Sequence, residues 1–250
     1  MRHVVLEEWS RRQSWLHQRD PRAKCLALVV FLILVATSDK NFPLVAGGYL
    51  ILLIALVRSA RLPLGAVLAR SAVVLPFSFI FGLVSALAGN IHHAVLLVSK
   101  SYLSALAVLI TIATSPVPKL LYGLEQLGIP QFLLWVVQFL YRYLFVVSEE
   151  AQRMHSAVVA RGASLGALRA RGVRFQAAAG ALAVLFLRSY GRAEDIHRAM
   201  LARGFQGGLR QLSASRFGWK DGAFVLAAGV IPAALRILLE ARLTWFRQSV

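Results

Sequence analysis

Along this chain, long apolar stretches are separated by short polar breaks. Uncharged runs extend from Cys25 to Ser38 (14 residues), Asn41 to Val57 (17), Ser71 to Ser99 (29), Ser101 to Pro118 (18), Gln126 to Tyr141 (16), Phe175 to Leu187 (13) and Gly222 to Leu235 (14). A helix needs about 20 mostly apolar residues to cross the hydrocarbon core of a bilayer. The Ser71 run exceeds that length by itself, and several others reach it by drawing in flanking residues. The pattern predicts an all-α, polytopic helical membrane protein.

Composition supports this reading. Of the 250 residues, 58% are hydrophobic and only 16% charged, against roughly 25% charged in an average soluble chain. The net charge of +17 would suggest nucleic acid in a soluble protein. In a membrane protein it is better explained by cytoplasmic Arg and Lys, so no nucleic-acid partner is expected. Residues 1–24 carry Arg2, Arg11, Arg12, Arg19, Arg22 and Lys24 against Glu7, Glu8 and Asp20, which places this segment in the cytoplasm. They contain no apolar core before a small-residue cleavage site, so no cleaved signal peptide is expected. Cys25 has no second cysteine with which to form an internal disulfide.

Four spans are expected within residues 25–118. Asp39 and Lys40 cancel after the first, Arg58, Arg61 and Arg70 flank the loop after the second, and Gly89 to His93 lacks Lys and Arg after the third. The fourth contains Lys100, which must reach an interface or face protein, and Pro116 and Pro118 end it. Residues 119–218 have a different texture. Lys119 to Gly128 patterns as a short amphipathic helix lying along the interface. Gln131 to Val147 runs without a breaker into polar Ser148 to Ala160, predicting one long helix that leaves the bilayer and ends at Gly162. Ser148 to Gly218 holds 11 arginines against four acidic residues. Within it Phe175 to Leu187 is too short to span, which suits a helix buried against protein or dipping partly into lipid. Residues 219–250 return to the membrane, with Pro232 expected to kink the helix. Five spans would leave Arg236, Arg242 and Arg247 outside, against the charge rule. Either a sixth crossing lies near Gln131 or Phe175, or the rule fails at this end.

The chemistry is narrowed by what is missing. The chain has no G-x-x-x-x-G-K-[ST] phosphate loop and no carboxylate within a spanning helix for ion coupling. Its six histidines show no H-E-x-x-H spacing and no carboxylate or cysteine pair completes a metal site. His92 and His93 adjoin an expected outer loop, but adjacent residues point to different helix faces, which favours a plain loop over a metal site. No cofactor and no catalytic or metal-ligating residue is expected.

One signal remains. Ala160-Arg161-Gly162 and Ala202-Arg203-Gly204 lie 42 residues apart, and the same offset pairs Ala151 with Ala193, His155 with His197 and Ala157 with Ala199. Each stretch patterns as a helix whose last turn carries an arginine and whose end is marked by a glycine able to turn left-handed. Arginine there also suits the negative end of the helix dipole, which is ordinary helix-ending chemistry. Ala170-Arg171-Gly172 repeats the tripeptide without the helical context. The repeated context distinguishes the other two: paired rigid helices with guanidinium tips can dock into acidic grooves of a partner.

At this point the chain resembles the transmembrane T component of energy-coupling factor (ECF) transporters, most closely the cobalt/nickel branch called the CbiQ family. The resemblance runs through His17 to Lys24, Leu124 to Pro130, Arg142-Tyr143, Glu149-Glu150, Ala157 to Gly162, Arg188-Ser189, Arg192-Ala193-Glu194 and Ala199 to Phe205. It implies a non-catalytic scaffold in the cell (inner) membrane with an extended cytoplasmic coupling-helix region. Two cytoplasmic ABC-type ATPase subunits would bind at Ala160, Arg161, Gly162, Ala202, Arg203 and Gly204. A substrate-capture membrane subunit would sit on the transmembrane face, with a small accessory membrane subunit as an optional further partner. ATP hydrolysis would belong to the partners. The small-residue stretches Ala46-Gly47-Gly48 and Ser85 to Gly89 would serve either the capture subunit or packing within the chain. The rival readings are a T component for a vitamin such as biotin, and a membrane enzyme clamping anionic lipid phosphates through Arg161, Arg171 and Arg203. The latter would need a carboxylate cluster, for which Glu149-Glu150 with Glu194-Asp195 is the sole candidate.

Overall fold

The computed structural model describes residues 14–38, 42–160, 171–206 and 218–248. Among them the secondary structure is entirely helical: α1 (Pro21–Ala36), α2 (Phe42–Ser59), α3 (Leu64–Ser71), a 3-10 turn (Ala72–Val74), α4 (Leu75–Leu87), α5 (Ile91–Ala113), α6 (Val117–Gln126), α7 (Gln131–Ala160), α8 (Arg171–Ala202) and α9 (Trp219–Gln248). The chain divides into two compact units, Met1–Ile129 with Ser215–Val250, and Pro130–Ala214.

The first unit is built on α1, α2, α5 and α9. Its core includes Phe31 and Val35 of α1, Tyr49, Leu53 and Val57 of α2, and Leu103, Leu106 and Ile110 of α5. Phe31 meets Tyr49 edge to face at 5.5 Å. Gly48 lets α2 approach α9, since a Cβ there would lie 2.5 Å from the Leu235 side chain. Gly47 beside it has open space. Of the two uses expected for Ala46-Gly47-Gly48, internal packing therefore accounts for Gly48.

The expected third span is not one continuous helix. The 3-10 turn Ala72–Val74 interrupts it, and the Ala88–Asn90 turn, where Gly89 takes φ +86°, ends it where the loop after the third span was expected. Leu64–Leu87 still makes a 24-residue apolar span, and Ile91–Ala113 another of 23. Only a narrow face of α4 is packed. Ser78 and Gly82, one helical turn apart, are buried, and a Cβ on Gly82 would come 2.9 Å from Val98 of α5. Phe77, Phe79, Ile80 and Leu87 are exposed, the last at 80%. So large an apolar surface on a helix this long marks a multi-pass membrane protein. The turn residues Gly89 to Asn90 precede a helix that already includes His92 and His93, so the histidines occupy its exposed first turn and not a loop.

Three cations close helix ends that lipid would leave unsatisfied. The last carbonyls of a helix lack intrahelical donors, and hydrocarbon supplies no water in their place. Lys24, 4% exposed, donates to the Thr114 carbonyl at 2.9 Å and to Ser115 Oγ at 2.6 Å, just past the end of α5. Lys100 donates to the Ala36 carbonyl at the end of α1 (3.0 Å), which is where its intramembrane charge goes. Arg236 donates to the Thr37 hydroxyl and carbonyl, both at 3.0 Å. A positive charge is favoured at each site by the helix dipole.

The Arg236 contact and one at the other end of α1 fix how α9 runs. The Asp20 N–H donates to Asp221 Oδ1 (3.1 Å) at the starts of α1 and α9, while Arg236 reaches Thr37 at the end of α1. The helices are therefore parallel neighbours, and Arg236 lies at the opposite end of this unit from Asp20. The amphipathic α6 packs against the start of α1. Arg22 donates to Tyr122 Oη (3.0 Å), and a Cβ on Gly123 would meet the Pro21 and Arg22 backbone at 3.1 Å. Pro232 lies inside the continuous helix α9.

Candidate functional site

The second unit consists, among its described residues, of α7 and α8. Nothing in Gln131 to Ala160 breaks a helix, and the structure carries α7 unbroken through the change from apolar to polar sequence. Among the described residues it is one of four helices long and apolar enough to cross a membrane, with Leu64–Leu87, Ile91–Ala113 and Trp219–Leu239. Ala160 is its last residue and is exposed. Arg161 and Gly162 lie outside the described residues.

At the end of α8 the sequence-predicted geometry can be followed bond by bond. Gly204 takes φ +77°, and its N–H donates to the Leu201 carbonyl at 2.9 Å. The Phe205 N–H reaches the Met200 carbonyl at 3.0 Å, and the Arg203 N–H is shared between Ala199 (3.2 Å) and Met200 (3.1 Å). These bonds satisfy carbonyls that the helix end leaves over, and the left-handed turn costs least on glycine. Arg203 sits on the final turn with its side chain exposed. The same device ends α6 at Gly128, φ +93°. Arg171, by contrast, begins α8 with Gly172 inside the helix, which separates this tripeptide from Ala202-Arg203-Gly204 at the other end of α8.

Phe175 to Leu187 departs from one expectation. It is part of α8, and Phe175, Leu182, Phe186 and Leu187 are largely exposed, so the described residues of its own unit do not bury it, while the alternative of dipping partly into lipid fits its apolar surface. Polar residues hold the rest of the surface. Glu149 pairs with Arg153 at 3.8 Å and Glu194 with Arg198 at 3.6 Å, each along its own helix. Exposed pairs of this kind contribute about 0.3–0.5 kcal/mol. Between the helices, Arg188 of α8 donates a hydrogen bond to Glu150 of α7. Beside this pair is a cavity of about 460 Å³ whose lining includes Val146, Val147, Gly191 and Arg192. The sequence marked Glu150 and Arg188 separately but gave no sign that they meet. Their 38-residue separation carries no periodic signal.

Among the described residues, no group of three or more His, Cys, Asp or Glu side chains is positioned to hold a metal. Glu149 and Glu194 are engaged by arginines of their own helices, and Glu150 by Arg188. Three of the four carboxylates that a site acting on anionic lipids would draw on are thus engaged in ion pairs, and Asp195 lines the cavity beside Glu150 and Arg188.

The fold and the site define a polytopic helical membrane protein in which α8 ends in an exposed arginine followed by a left-handed glycine. Comparison with known proteins gives the family. Residues 12–213 match the CbiQ model, described as cobalt transport protein, and the chain belongs to that family. It is 25% identical to the energy-coupling factor transporter transmembrane protein EcfT of Brevibacillus brevis, with 99% of both chains covered. It is 30% identical to the EcfT of Thermanaerovibrio acidaminovorans over 86% of this chain and 88% of that one. It is 33% identical to the cobalt transport protein CbiQ of Rhodobacter capsulatus over 51% of this chain and 49% of that one.

Proposed function

We propose that this chain is the T component of an ATP-driven ECF importer for cobalt or nickel ions, a non-catalytic scaffold in the cell membrane. It transmits motion of two cytoplasmic ABC-type ATPase subunits to a substrate-capture membrane subunit. The observation carrying this reading is the end of α8. Exposed Arg203 is held on a helix terminus whose backbone is locked by Gly204, and the sequence repeats that terminus 42 residues earlier at Ala160-Arg161-Gly162. A rigid helix with a fixed guanidinium at its tip resists bending and so conveys displacement, and the planar fork grips a carboxylate with defined orientation. In this reading residues 1–24 and both arginine termini face the cytoplasm. Because α1 and α9 are parallel, the C-terminal end of α9 lies on the other side, and the arginines there break the charge rule. Arg236 tolerates that side because the carbonyl and hydroxyl of Thr37 receive it.

Changing Arg161 and Arg203 together to glutamate is expected to abolish co-purification of the ATPase subunits in mild detergent while the protein stays in the membrane. Undiminished capture of the ATPases by the double variant would overturn the reading. A vitamin cargo is the second reading: the EcfT relative that aligns over 99% of this chain carries a name that specifies no metal, whereas the relative named for cobalt aligns over 51%. Mass spectrometry of the wild-type complex would identify the capture subunit and decide between these cargoes.

A further inference from the structure

Two long helices that act as levers must be held at a fixed angle to each other. Inside the second unit, α7 and α8 are 30 and 32 residues long. Interlocked side chains would ordinarily set such an angle, yet here the crossing is open on one side. The cavity of about 460 Å³ lies there, and a Cβ built on Gly191 in its lining would meet nothing within 4 Å. The directional contact at the crossing is the ion pair between Glu150 and Arg188. The glutamate side chain is only 23% exposed, so its charge is held in place and partly shielded from water. Glu149, its neighbour, is engaged along α7 by Arg153, which leaves Glu150 to make the crossing contact. From this point α7 extends ten residues to Ala160 and α8 fifteen to Arg203, arms of about 15 and 22 Å at 1.5 Å per residue.

We infer that Glu150 and Arg188 form the pin that sets the crossing of α7 and α8, so that both arginine termini move as one body. They are positioning residues: neither needs to touch a partner, and their effect passes through the angle of the helices. The inference deepens the coupling role proposed above and rests on it for its functional meaning. The pin itself is a property of this chain alone.

The test uses the full-length protein with Cys25→Ala and spin labels at Ala157→Cys and Ala199→Cys, both exposed positions. The distance between the labels is measured first on the chain without nucleotide. Glu150→Arg or Arg188→Glu alone is expected to shift and broaden the distance distribution, and the combined swap to restore it. A milder change, Glu150→Gln, covers the case in which a reversal fails to fold. Helicity and melting temperature are followed alongside, since a merely structural defect would lower these and would not be reversed by exchanging the charges. In the assembly with its ATPases, a non-hydrolysable ATP analogue is expected to move the labels in the wild type. That shift should be lost in the single variants although the ATPases still co-purify. Unchanged distances in folded Glu150→Gln and single-reversal proteins, or failure of the swap to restore a shifted distance, would overturn the pin. Absence of ATPases from the wild-type preparation would instead count against the proposed function, with the nucleotide-free distances still judging the pin.

Discussion

Replacing Lys24 with methionine should loosen the first unit at one identifiable place. The ammonium holds the Thr114 carbonyl and the Ser115 hydroxyl, and both residues are nearly fully buried, at 1% and 3%. Stripping a buried acceptor of its partner costs about 1–3 kcal/mol, so two give a loss of about 2–6 kcal/mol. Against this, methionine no longer requires a buried charge, whose effective desolvation penalty is on the order of several kcal/mol. Its thioether also suits the apolar lining of the cavity beside Lys24, which includes Leu28, Leu53 and Ile110. The net expectation is a destabilisation of about 2 kcal/mol, which raises the population of opened molecules by a factor of about 30. Cys25 is the next residue, is buried, and is the chain's single cysteine, so its labelling by a thiol-reactive fluorophore reports opening at this position. Lys24→Met should accelerate that labelling about as much as the open population rises. Ser115→Ala added to it should cost less than it does in the wild type, because the two groups share one bond. Labelling of Lys24→Met at the wild-type rate, with an unchanged unfolding midpoint, would show that the lysine does not secure this helix end.

Other perturbations probe packing and the helix terminus. Gly48→Leu forces side-chain atoms into the space of Leu235 and should lower stability by about 1–3 kcal/mol, read as a lower unfolding midpoint. Leu235→Ala should recover part of the loss, and its failure to do so would mean that α2 and α9 do not meet there. Gly204→Ala places a Cβ at φ +77° and should weaken the end of α8 by about 1–2 kcal/mol, seen as faster amide hydrogen exchange at Gly204 and Phe205. Gly204→Asn should have a smaller effect, since asparagine enters this conformation more readily; equal exchange in all three proteins would argue against the left-handed turn.

Much of the helical organisation was legible because hydrophobic runs and their interruptions are local. The long helix from Gln131 to Ala160 follows from the absence of a breaker, and the amphipathic stretch ending at Gly128 from its leucine spacing. The end of α8 was legible for the same reason: arginine, then glycine, records a dipole and a turn within a few residues. Other features were misread or left open because they depend on distant neighbours. Phe175 to Leu187 is exposed within a longer helix, since α7 meets α8 near Arg188 and leaves this run uncovered. Gly48 could have faced a partner or this chain until Leu235 was found against it. The orientation of α9 could not be drawn from its arginines, because a charge count does not record that Thr37 receives Arg236.

By itself, then, the sequence determined that this is a multi-pass helical membrane protein and that Ala160-Arg161-Gly162 and Ala202-Arg203-Gly204 repeat one helix-ending pattern. Hydrophobic length, helix capping and left-handed glycine act over a few residues and are written where they operate. Only the tertiary structure decided which helix end each of Lys24, Lys100 and Arg236 closes, that α1 and α9 run parallel, and that Glu150 meets Arg188. Those pairings join residues 38 to 201 positions apart. Partners at such distances are chosen by how helices pack, which no local pattern along the chain encodes.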